Sequence, residues 1–271
     1  MASIKKSYNK FAGQYDIHPY CRQDSLGSAI EFASQKYLFR KYEVYLKGNC
    51  VLDIGTGTVR VAEAFKRTWK AKVFASDISK GMIKFAKIRL KERVIAEYAL
   101  YLCWKSNVFD LVNSSWAINH IENYKKAIVE MARVTRSGGY VMITVVNPPK
   151  ESDCKKDKRG NLRYNVSLFN DSRGKPVFLE LYRRSKEDYL RAIQAAGLKV
   201  LEVSDKTLDE LQKLGAIEEK DAGTFDKRAR KVMKSLGDCE DFKLSNPKLN
   251  SGGFEMRINL TILARKPADS P

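Results

Sequence analysis

The sequence contains few residues of the kinds that hold transition metals or build disulfide frameworks. Among its 271 residues are two histidines and five cysteines. The cysteines are an odd number, lie far apart and include no CxxC pair, so neither a zinc site nor a network of disulfides is expected. The simplest interpretation is an intracellular protein with reduced thiols and no bound metal.

Long hydrophobic runs are also missing. The N-terminal residues MASIKKSYNKF lack the apolar core of a signal peptide, and Glu97 interrupts the longest nearly apolar stretch, residues 94–104. These absences predict a soluble, cytoplasmic protein without a membrane partner. A composition of 44% hydrophobic and 30% charged residues excludes an intrinsically disordered chain, and the length is sufficient for a sizeable core.

Acidic residues are scarce relative to basic ones. Fifty Lys and Arg against thirty-two Asp and Glu give a formal net charge of +18, which attracts nucleic acid, anionic lipid or acidic small molecules. Most of the excess falls in residues 65–93 and 150–186. Four lysines of the first stretch recur at the spacing of one helix face: Lys80, Lys84, Lys87 and Lys91. Such a row is either a track for phosphates or, more commonly, the solvent side of an amphipathic helix.

From residue 50 to residue 146, short apolar runs alternate with stretches of helical spacing. This alternation is typical of a parallel sheet covered by helices, which binds ligands at the carboxyl ends of its strands. The predicted strands are residues 50–54, 72–75, 94–98, 109–113 and 140–146, and the predicted helices are residues 61–69, 79–93 and 122–134.

The alternation stops after Pro148 and Pro149, where polar residues 150–175 predict an inserted loop or small hairpin. Further along, we predict a helix over 189–196, a strand over 198–203, a largely helical excursion over 207–236 and a last strand over 254–264. The whole chain, residues 1–271, is then one domain with an N-terminal helical cap (1–45) and two insertions, 150–182 and 204–252, that form a lid over an acceptor site.

The most informative segment is VLDIGTGTVR (51–60), a buried strand that runs into a glycine turn and then a helix. Gly55 permits a tight turn, and Gly57 lets the backbone approach a ligand closely. Asp77 ends the next strand, where a carboxylate can accept hydrogen bonds from both hydroxyls of a ribose. The alternative for Asp53 and Asp77 is a structural role as turn former and strand-end cap.

Two residues distinguish this segment from the phosphate-binding fingerprint of nicotinamide dehydrogenases. That fingerprint has a third small residue where this chain has Arg60, and a carboxylate at Asp53 would repel a pyrophosphate. A carboxylate beside the turn instead suits a positive group such as an amino acid ammonium. A ligand with a ribose, an ammonium and no phosphate is S-adenosylmethionine.

The sequence at this point resembles the class I S-adenosylmethionine-dependent methyltransferases, in particular their small-molecule group (type 11/25-like). Four stretches carry the resemblance in order: VLDIGTGTVR (51–60), VFASDIS (73–79), FDLVNSSWAINHI (109–121) and ARVTRSGGYVMITV (132–145). The segments YNKFAGQYD (8–16) and RRSKEDYLRAIQAAGLKVLEV (183–203) are similar to that group's N-terminal helix and its late helix and strand. The resemblance implies a Rossmann-like, open, mostly parallel seven-stranded sheet with helices on both faces and a final antiparallel strand.

The resemblance also implies the residues that hold the cofactor. They are Tyr8, Tyr15, Asp53, Gly55, Thr56, Gly57, Asp77, Ile78, Met82, Tyr98, Ala99, Asn113, Ser114 and Ser115. The glycine turn would line the methionine part, with Asp53 holding that region in place, and Asp77 would take the ribose. Ile78 and Met82 would pack on the adenine, and residues 113–115 would pass under the sulfonium. The two tyrosines would close the pocket, although ordinary packing is an equal alternative for each.

Three positions depart from the family pattern. A glycine is usual where Val59 stands, so the helix and strand are expected to pack further apart or the cofactor to sit differently. An acidic residue beside the adenine amine is usual where Tyr98 and Ala99 stand, and Glu97 is one residue out of register. Adenine recognition is therefore expected to rest on stacking and backbone contacts.

His120 and Tyr15 are the candidate catalytic residues. His120 follows the fourth strand, where the family often carries a histidine near the transferring methyl group. It can act as a general base for an amine or hydroxyl acceptor, or alternatively cap the next helix. His18 is expected at the surface or the pocket rim.

The predicted function is methyl transfer to a nitrogen or oxygen atom of a small molecule. Arg183, Arg184 and Lys175 either bind a carboxylate or phosphate of the acceptor or form a solvated rim. If the net charge is functional, it is expected to act through residues 150–186 on an acidic acceptor. One alternative is methylation of RNA or protein, motivated by the charge. The other is a non-catalytic homologue that binds S-adenosylmethionine, motivated by the residues that depart from the family pattern.

Overall fold

The computed structural model describes residues 2–17, 26–170, 176–217 and 259–268. Several predictions concern residues outside these ranges: His18, Lys175, Cys21, Cys239, residues 218–252 of the second insertion and residues 254–258 of the last strand.

An open sheet forms the centre of the described part of the chain. Its strands are β1 (Cys50–Ile54), β2 (Lys72–Asp77), β3 (Val94–Ala96), β4 (Phe109–Ser115), β5 (Thr135–Val146), β9 (Lys199–Ser204) and β10 (Asn259–Arg265). Their order is β3-β2-β1-β4-β5-β10-β9. Strands β1 to β5 pair in parallel, whereas β10 is antiparallel to β5 and β9. The predicted Rossmann-like sheet with a final antiparallel strand is therefore confirmed.

Helices pack on both faces of this sheet. They are α1 (Ala2–Phe11), α2 (Leu26–Lys41), α3 (Arg60–Thr68), α4 (Lys80–Leu90), α5 (Tyr124–Val134), α6 (Lys186–Ala195) and α7 (Leu208–Lys213). One hydrophobic core joins α2, α3 and α4 to the sheet, and a second joins α5 and α6 to its other face. Of the predicted, largely helical excursion over 207–236, the structure describes residues 207–217, in which α7 ends at Lys213 and a turn follows.

The first insertion forms a small antiparallel sheet of its own. Its strands are β6 (Lys155–Lys156), β7 (Leu162–Asn170) and β8 (Pro176–Tyr182). The predicted hairpin is thus longer than residues 150–175. Strand β8 lies against α1 and against the turn Ile118–His120, so this sheet borders the carboxyl end of β4.

Val59 adopts the backbone conformation that a glycine would adopt. Its φ is 73°, in the left-handed region, and its side chain is fully buried in the core between α3 and the sheet. A β-branched residue is uncommon in this region because its Cβ crowds the backbone. The substitution for glycine is therefore accommodated as local strain, with the turn geometry retained.

Candidate active site

A pocket opens at the carboxyl ends of β1, β2 and β4, under helix α1. It brings together ten residues predicted from the sequence: Tyr8, Tyr15, Gly55, Gly57, Asp77, Ile78, Tyr98, Ala99, Ser115 and His120. It also includes six that the prediction missed: Ile4, Ile54, Glu97, Trp116, Ala117 and Ile121. Parallel strands place the residues that follow them at one edge of the sheet, which is why segments far apart in sequence meet here.

The glycine turn needs both of its glycines. Gly55 and Gly57 have φ values of 71° and 57°, which side chains adopt only with strain. A Cβ on Gly55 would lie 2.2 Å from the Cβ of Ala117, and a Cβ on Gly57 would lie 3.8 Å from the ring of Tyr15. The turn therefore lets two other walls of the pocket approach the end of β1 closely.

Asp77 ties this turn to the end of β2. One carboxylate oxygen accepts the N–H of Gly57 at 2.9 Å, and the other accepts the N–H of Ser79 at 2.8 Å. Burial raises the pKa of Asp77, although these backbone N–H groups favour its ionised form. The residue is thus both a strand-end cap and part of the pocket wall, so the two alternatives from the sequence are compatible.

Asp53 lies below the pocket and does not line it. Its carboxylate accepts the hydroxyl of Thr56 and the side-chain N–H of Asn113, each at 2.7 Å. Burial raises the pKa of Asp53 to about 6, against the opposing effect of these hydrogen bonds. Asp53 therefore supports the glycine turn from beneath and links it to β4.

Besides Asp53, four of the predicted cofactor-binding residues do not line the pocket: Thr56, Met82, Asn113 and Ser114. Met82 is buried against Phe11 of α1 and the following Ala12, because α1 covers the start of α4. The hydroxyl of Ser114 donates to the carbonyl of Ile54. Among residues 113–115 only Ser115, the last residue of β4, lines the pocket. Asn113 lies on the same face of the strand, further from its end, and donates to the Ser115 hydroxyl at 3.2 Å, whereas Ser114 faces the opposite side.

His120 and Tyr8 form a hydrogen-bonded pair in the pocket wall. The Tyr8 hydroxyl is 3.0 Å from Nε2 of His120, and Nδ1 is 3.2 Å from the carbonyl oxygen of Glu180 in β8. A carbonyl only accepts, so Nδ1 carries the proton and Nε2 accepts from Tyr8. Burial, together with the positive charge of Arg184, lowers the pKa of His120 to about 4. The imidazole is therefore neutral at physiological pH.

Arg184 is a structural residue and not part of an anion-binding rim. Its buried guanidinium donates to the carbonyls of Ile118, Ile121 and Glu122 and lies 4.1 Å from the ring centroid of Tyr124. These contacts secure the turn that carries His120. Arg183 donates to the carbonyl of Pro149 at 3.0 Å.

Glu97 lines the pocket although the family register places the acidic residue one position later. Its carboxylate accepts the indole N–H of Trp104 at 3.1 Å and the backbone N–H of Cys103 at 3.0 Å. The carboxylate thus braces the loop after β3. Tyr98 and Ala99 line the pocket beside it, as the register of the sequence predicts.

Trp116 is a wall residue that the sequence analysis missed. Its φ is 54°, its backbone N–H donates to Thr144 at 2.8 Å and its indole N–H donates to Asn259 at 3.1 Å. The guanidinium of Arg60 lies 4.8 Å from the ring centroid and is paired with buried Glu31 at 2.7 Å. Arg60, at the start of α3 in the glycine motif, is the one feature of the sequence that indicated a contact with another side chain at this end of the helix.

The lining residues include no lysine or arginine among those that the structure describes. Within the same residues, no group of three His, Cys, Asp or Glu side chains is placed to hold a metal ion. The described cysteines, Cys50, Cys103 and Cys154, are free thiols. None of the described helices has the length and apolarity needed to cross a bilayer.

Comparison with known proteins identifies the central part of the chain. Residues 52–143 match the model of a methyltransferase domain. The chain is 29% identical over 153 residues to the ubiquinone/menaquinone biosynthesis C-methyltransferase UbiE of Hydrogenovibrio crunogenus, covering 52% of this chain and 57% of that protein. It is 30% identical over 132 residues to the demethylmenaquinone methyltransferase of Thermobifida fusca, covering 45% and 55%. The chain thus spans little more than half the length of these relatives.

Solved structures share the fold at low sequence identity. One is a chain of the complex between the Haloferax volcanii Trm112 methyltransferase activator and a methyltransferase, with a TM-score of 0.62, 15% identity and coverage of 99% and 98%. Another is phosphoethanolamine N-methyltransferase 2 of Haemonchus contortus with S-adenosyl-L-methionine, with a TM-score of 0.55, 17% identity and coverage of 97% of this chain and 60% of that one. The comparisons thus support a class I S-adenosylmethionine-dependent methyltransferase domain at residues 52–143.

Proposed function

We propose that this chain transfers the methyl group of S-adenosylmethionine to a small-molecule acceptor whose hydroxyl or amine group meets Tyr8 and His120. The supporting observation is a single pocket that joins the glycine turn and Asp77 to the Tyr8–His120 pair. The first group of residues suits a nucleoside with an amino acid tail, and the second suits a protonated acceptor atom.

The pocket fits the cofactor at its nucleoside end. The Asp77 carboxylate lies at the wall with room for further hydrogen bonds, since a carboxylate offers about four lone-pair sites. Gly57 presents backbone without a Cβ beside the Tyr15 ring, and Ile78 supplies an apolar surface for a flat base. When bound there, S-adenosylmethionine supplies a methyl group activated by a positive sulfonium.

The Tyr8–His120 pair can orient the acceptor molecule and take its proton. Because Nδ1 donates to the Glu180 carbonyl, Nε2 is held toward Tyr8, and the Tyr8 oxygen gains electron density as its proton is drawn to Nε2. The acceptor can then pass its proton to the Tyr8 oxygen while its nucleophilic atom faces the methyl group. A hydrogen bond of this kind orients the acceptor in a pocket with an apolar wall. This orientation is the main requirement of an in-line methyl transfer.

The chemistry of the lining residues favours an uncharged or cationic acceptor. Trp116, Ile4 and Ile121 are aromatic or apolar, and the described wall offers no Lys or Arg for an anion. The expected acidic acceptor therefore has no support in the described wall. The relatives named as C-methyltransferases suggest a third target besides nitrogen and oxygen, since removing the proton from an aromatic hydroxyl also makes the adjacent ring carbon nucleophilic. Val59 was one reason to consider a non-catalytic homologue. That reason is weakened, because the turn keeps its geometry with valine at this position.

Product formation tests this proposal. The purified chain is incubated with S-adenosylmethionine and a panel of hydroxylated aromatics and primary amines, and S-adenosylhomocysteine is quantified. We expect acceptor-dependent product with at least one acceptor, and a loss of about 100-fold or more in His120→Gln. If His120→Gln forms product at the wild-type rate, the pair has no part in the reaction. The mass and NMR spectrum of the product identify the methylated atom.

A further inference from the structure

Two neighbouring helices carry many basic residues and no acidic ones. Helix α1 (Ala2–Phe11) has three lysines, and helix α4 (Lys80–Leu90) has three lysines and an arginine. Neither helix contains an Asp or Glu. The sequence alone left the lysines of α4 as either a phosphate track or a solvated helix side, and it gave no position for those of α1.

The two helices form one surface because their backbones touch. The side-chain oxygen of Asn9 accepts the N–H of Gly81 at 2.9 Å and the hydroxyl of Ser79 at 2.8 Å. A Cβ on Gly81 would lie 3.0 Å from the Cα of Asn9, closer than most side chains approach, so glycine allows this contact without displacing α1. The lysines beside Asn9 in α1 therefore lie next to those at the start of α4.

We define the basic face as the exposed lysines of this surface: Lys6, Lys10, Lys80, Lys84, Lys87 and Lys91. None of them forms an ion pair with any residue that the structure describes. The arginine of α4 behaves differently, since Arg89 is paired with Asp16 at 2.6 Å. The charge of the basic face is thus not neutralised by any residue in the described part of the chain, whereas the neighbouring arginine forms an internal ion pair.

The lysines of α4 are regularly spaced. Within the helix, the rise is about 6 Å from Lys80 to Lys84 and about 4.5 Å from Lys84 to Lys87, because each residue contributes about 1.5 Å. Lys91 follows the helix directly as its C-cap residue. A strand of nucleic acid is a linear chain of regularly spaced negative charges, and lysine contacts to phosphates require no other recognition element. We propose that the basic face binds the phosphate backbone of a single-stranded nucleic acid.

An anionic membrane fits this surface less well. Most larger apolar side chains of α4 point into the protein, and Met82, Ile83 and Leu90 are buried. The exception is Ile88, which is 75% exposed. Stable membrane attachment needs an apolar insertion or lipid anchor in addition to basic residues. A single isoleucine provides little of that second contribution, whereas a phosphate track needs none.

The proposed strand would pass beside the pocket. Helix α1 carries Ile4 and Tyr8 of the pocket wall as well as Lys6 and Lys10 of the basic face. Binding of nucleic acid is nevertheless independent of the methyl transfer proposed above. The two proposals can therefore fail separately.

Fluorescence anisotropy with a labelled oligouridine RNA of roughly 12 nucleotides tests the basic face. The variant Lys84→Glu/Lys87→Glu/Lys91→Glu is compared with Lys155→Glu/Lys156→Glu/Lys158→Glu. The second variant makes the same charge change at exposed lysines of the β6–β7 hairpin, which form no ion pair with a residue that the structure describes. We expect wild-type binding that weakens steeply with salt. The α4 variant should bind at least about tenfold more weakly, and its slope of log K against log salt should be smaller by about 2, since each phosphate contact contributes about 0.7.

Three results would overturn the proposal. They are no binding by the wild type at about 50 mM salt, equal losses in the two triple variants, and binding of phosphatidylserine vesicles by a wild type that ignores the RNA. Calorimetry with S-adenosylhomocysteine serves as the folding control. Unchanged S-adenosylhomocysteine binding in the α4 variant shows that weaker RNA binding is not caused by a damaged domain.

Discussion

The hydroxyl of Tyr8 lies 3.0 Å from Nε2 of His120, although 112 residues separate the two in the chain. Their rings meet edge to face, with centroids 5.5 Å apart. One residue comes from the N-terminal helix and the other from the turn after β4, so the pair exists only when α1 is docked on the sheet. Docking of the helix and assembly of the proton-accepting pair are therefore one event.

Replacement of Tyr8 by Phe separates the role of its hydroxyl from that of its ring. The aromatic packing on His120 remains, while the atom that receives the acceptor's proton is removed. We expect methyl transfer to fall by about 100-fold or more, with the affinity for S-adenosylhomocysteine within about threefold of wild type. Steady-state kinetics and calorimetry measure these two quantities. A Tyr8→Phe variant with wild-type kcat would exclude the hydroxyl from the reaction.

Asp53 and His120 oppose each other in the dependence of stability on pH. The folded pKa of His120, about 4, lies below its ordinary value of 6.5, so its contribution to stability is present above pH 6.5 and is lost as pH falls toward 4. The folded pKa of Asp53, about 6, lies above its ordinary value of 3.8, so its contribution is present below pH 4 and is lost as pH rises through 6.

Variants should separate these two contributions. In Asp53→Asn, the free energy of unfolding should rise with pH between 4 and 6.5 more steeply than in wild type, by up to about 3 kcal/mol. In His120→Gln, it should rise less steeply or fall. Urea denaturation at a series of pH values measures both. Parallel curves for the wild type and both variants would show that neither group titrates abnormally.

At position 59, the usual order of stability, in which an alanine variant is more stable than a glycine variant, should be reversed. Alanine removes buried methyl groups but keeps a Cβ at a φ of 73°, whereas glycine also relieves the strain of about 1–2 kcal/mol. We expect Val59→Gly to be at least as stable as Val59→Ala in thermal and urea denaturation. Val61, a buried residue within α3, is the matched control, because there glycine should be about 1 kcal/mol worse than alanine. The same order at both positions would argue against strain at Val59.

Arg184 should act on catalysis through the position of His120. Lysine cannot donate to three carbonyls at once, so Arg184→Lys leaves buried carbonyl oxygens of the turn without donors, at a cost of about 1–3 kcal/mol. We expect lower stability and lower kcat, with little change in S-adenosylhomocysteine affinity. Arg183→Lys is the control, since Arg183 contacts the carbonyl of Pro149 outside this turn. Equal effects of the two variants would remove the positioning role of Arg184.

Much of the fold could be predicted from sequence because its signals are local. The glycine turn, the acidic residue at the end of β2 and the alternating apolar runs define a parallel sheet with a ligand at its carboxyl edge. The predicted strand over 140–146 was too short, since β5 begins at Thr135 and runs through a glycine pair that interrupts its apolar pattern.

The parts that could not be predicted depend on tertiary contacts. The sequence does not show that Trp116 reaches the pocket, because its place depends on Asn259 of the last strand and on Arg60 of α3. Arg184 was expected either to bind an anion or to form part of a solvated rim, whereas it is buried and donates to three backbone carbonyls. Met82 was expected to pack on the adenine, but α1 covers it.

Calorimetric titration with S-adenosylhomocysteine tests the central claim most directly. We predict saturable binding to the wild type and at least about tenfold weaker binding to Asp77→Asn, which keeps an oxygen for the N–H of Gly57 but loses the negative charge beside the ribose site. Absence of heat at about 1 mM ligand, or equal affinity in the two proteins, would contradict the assignment of this pocket to the cofactor.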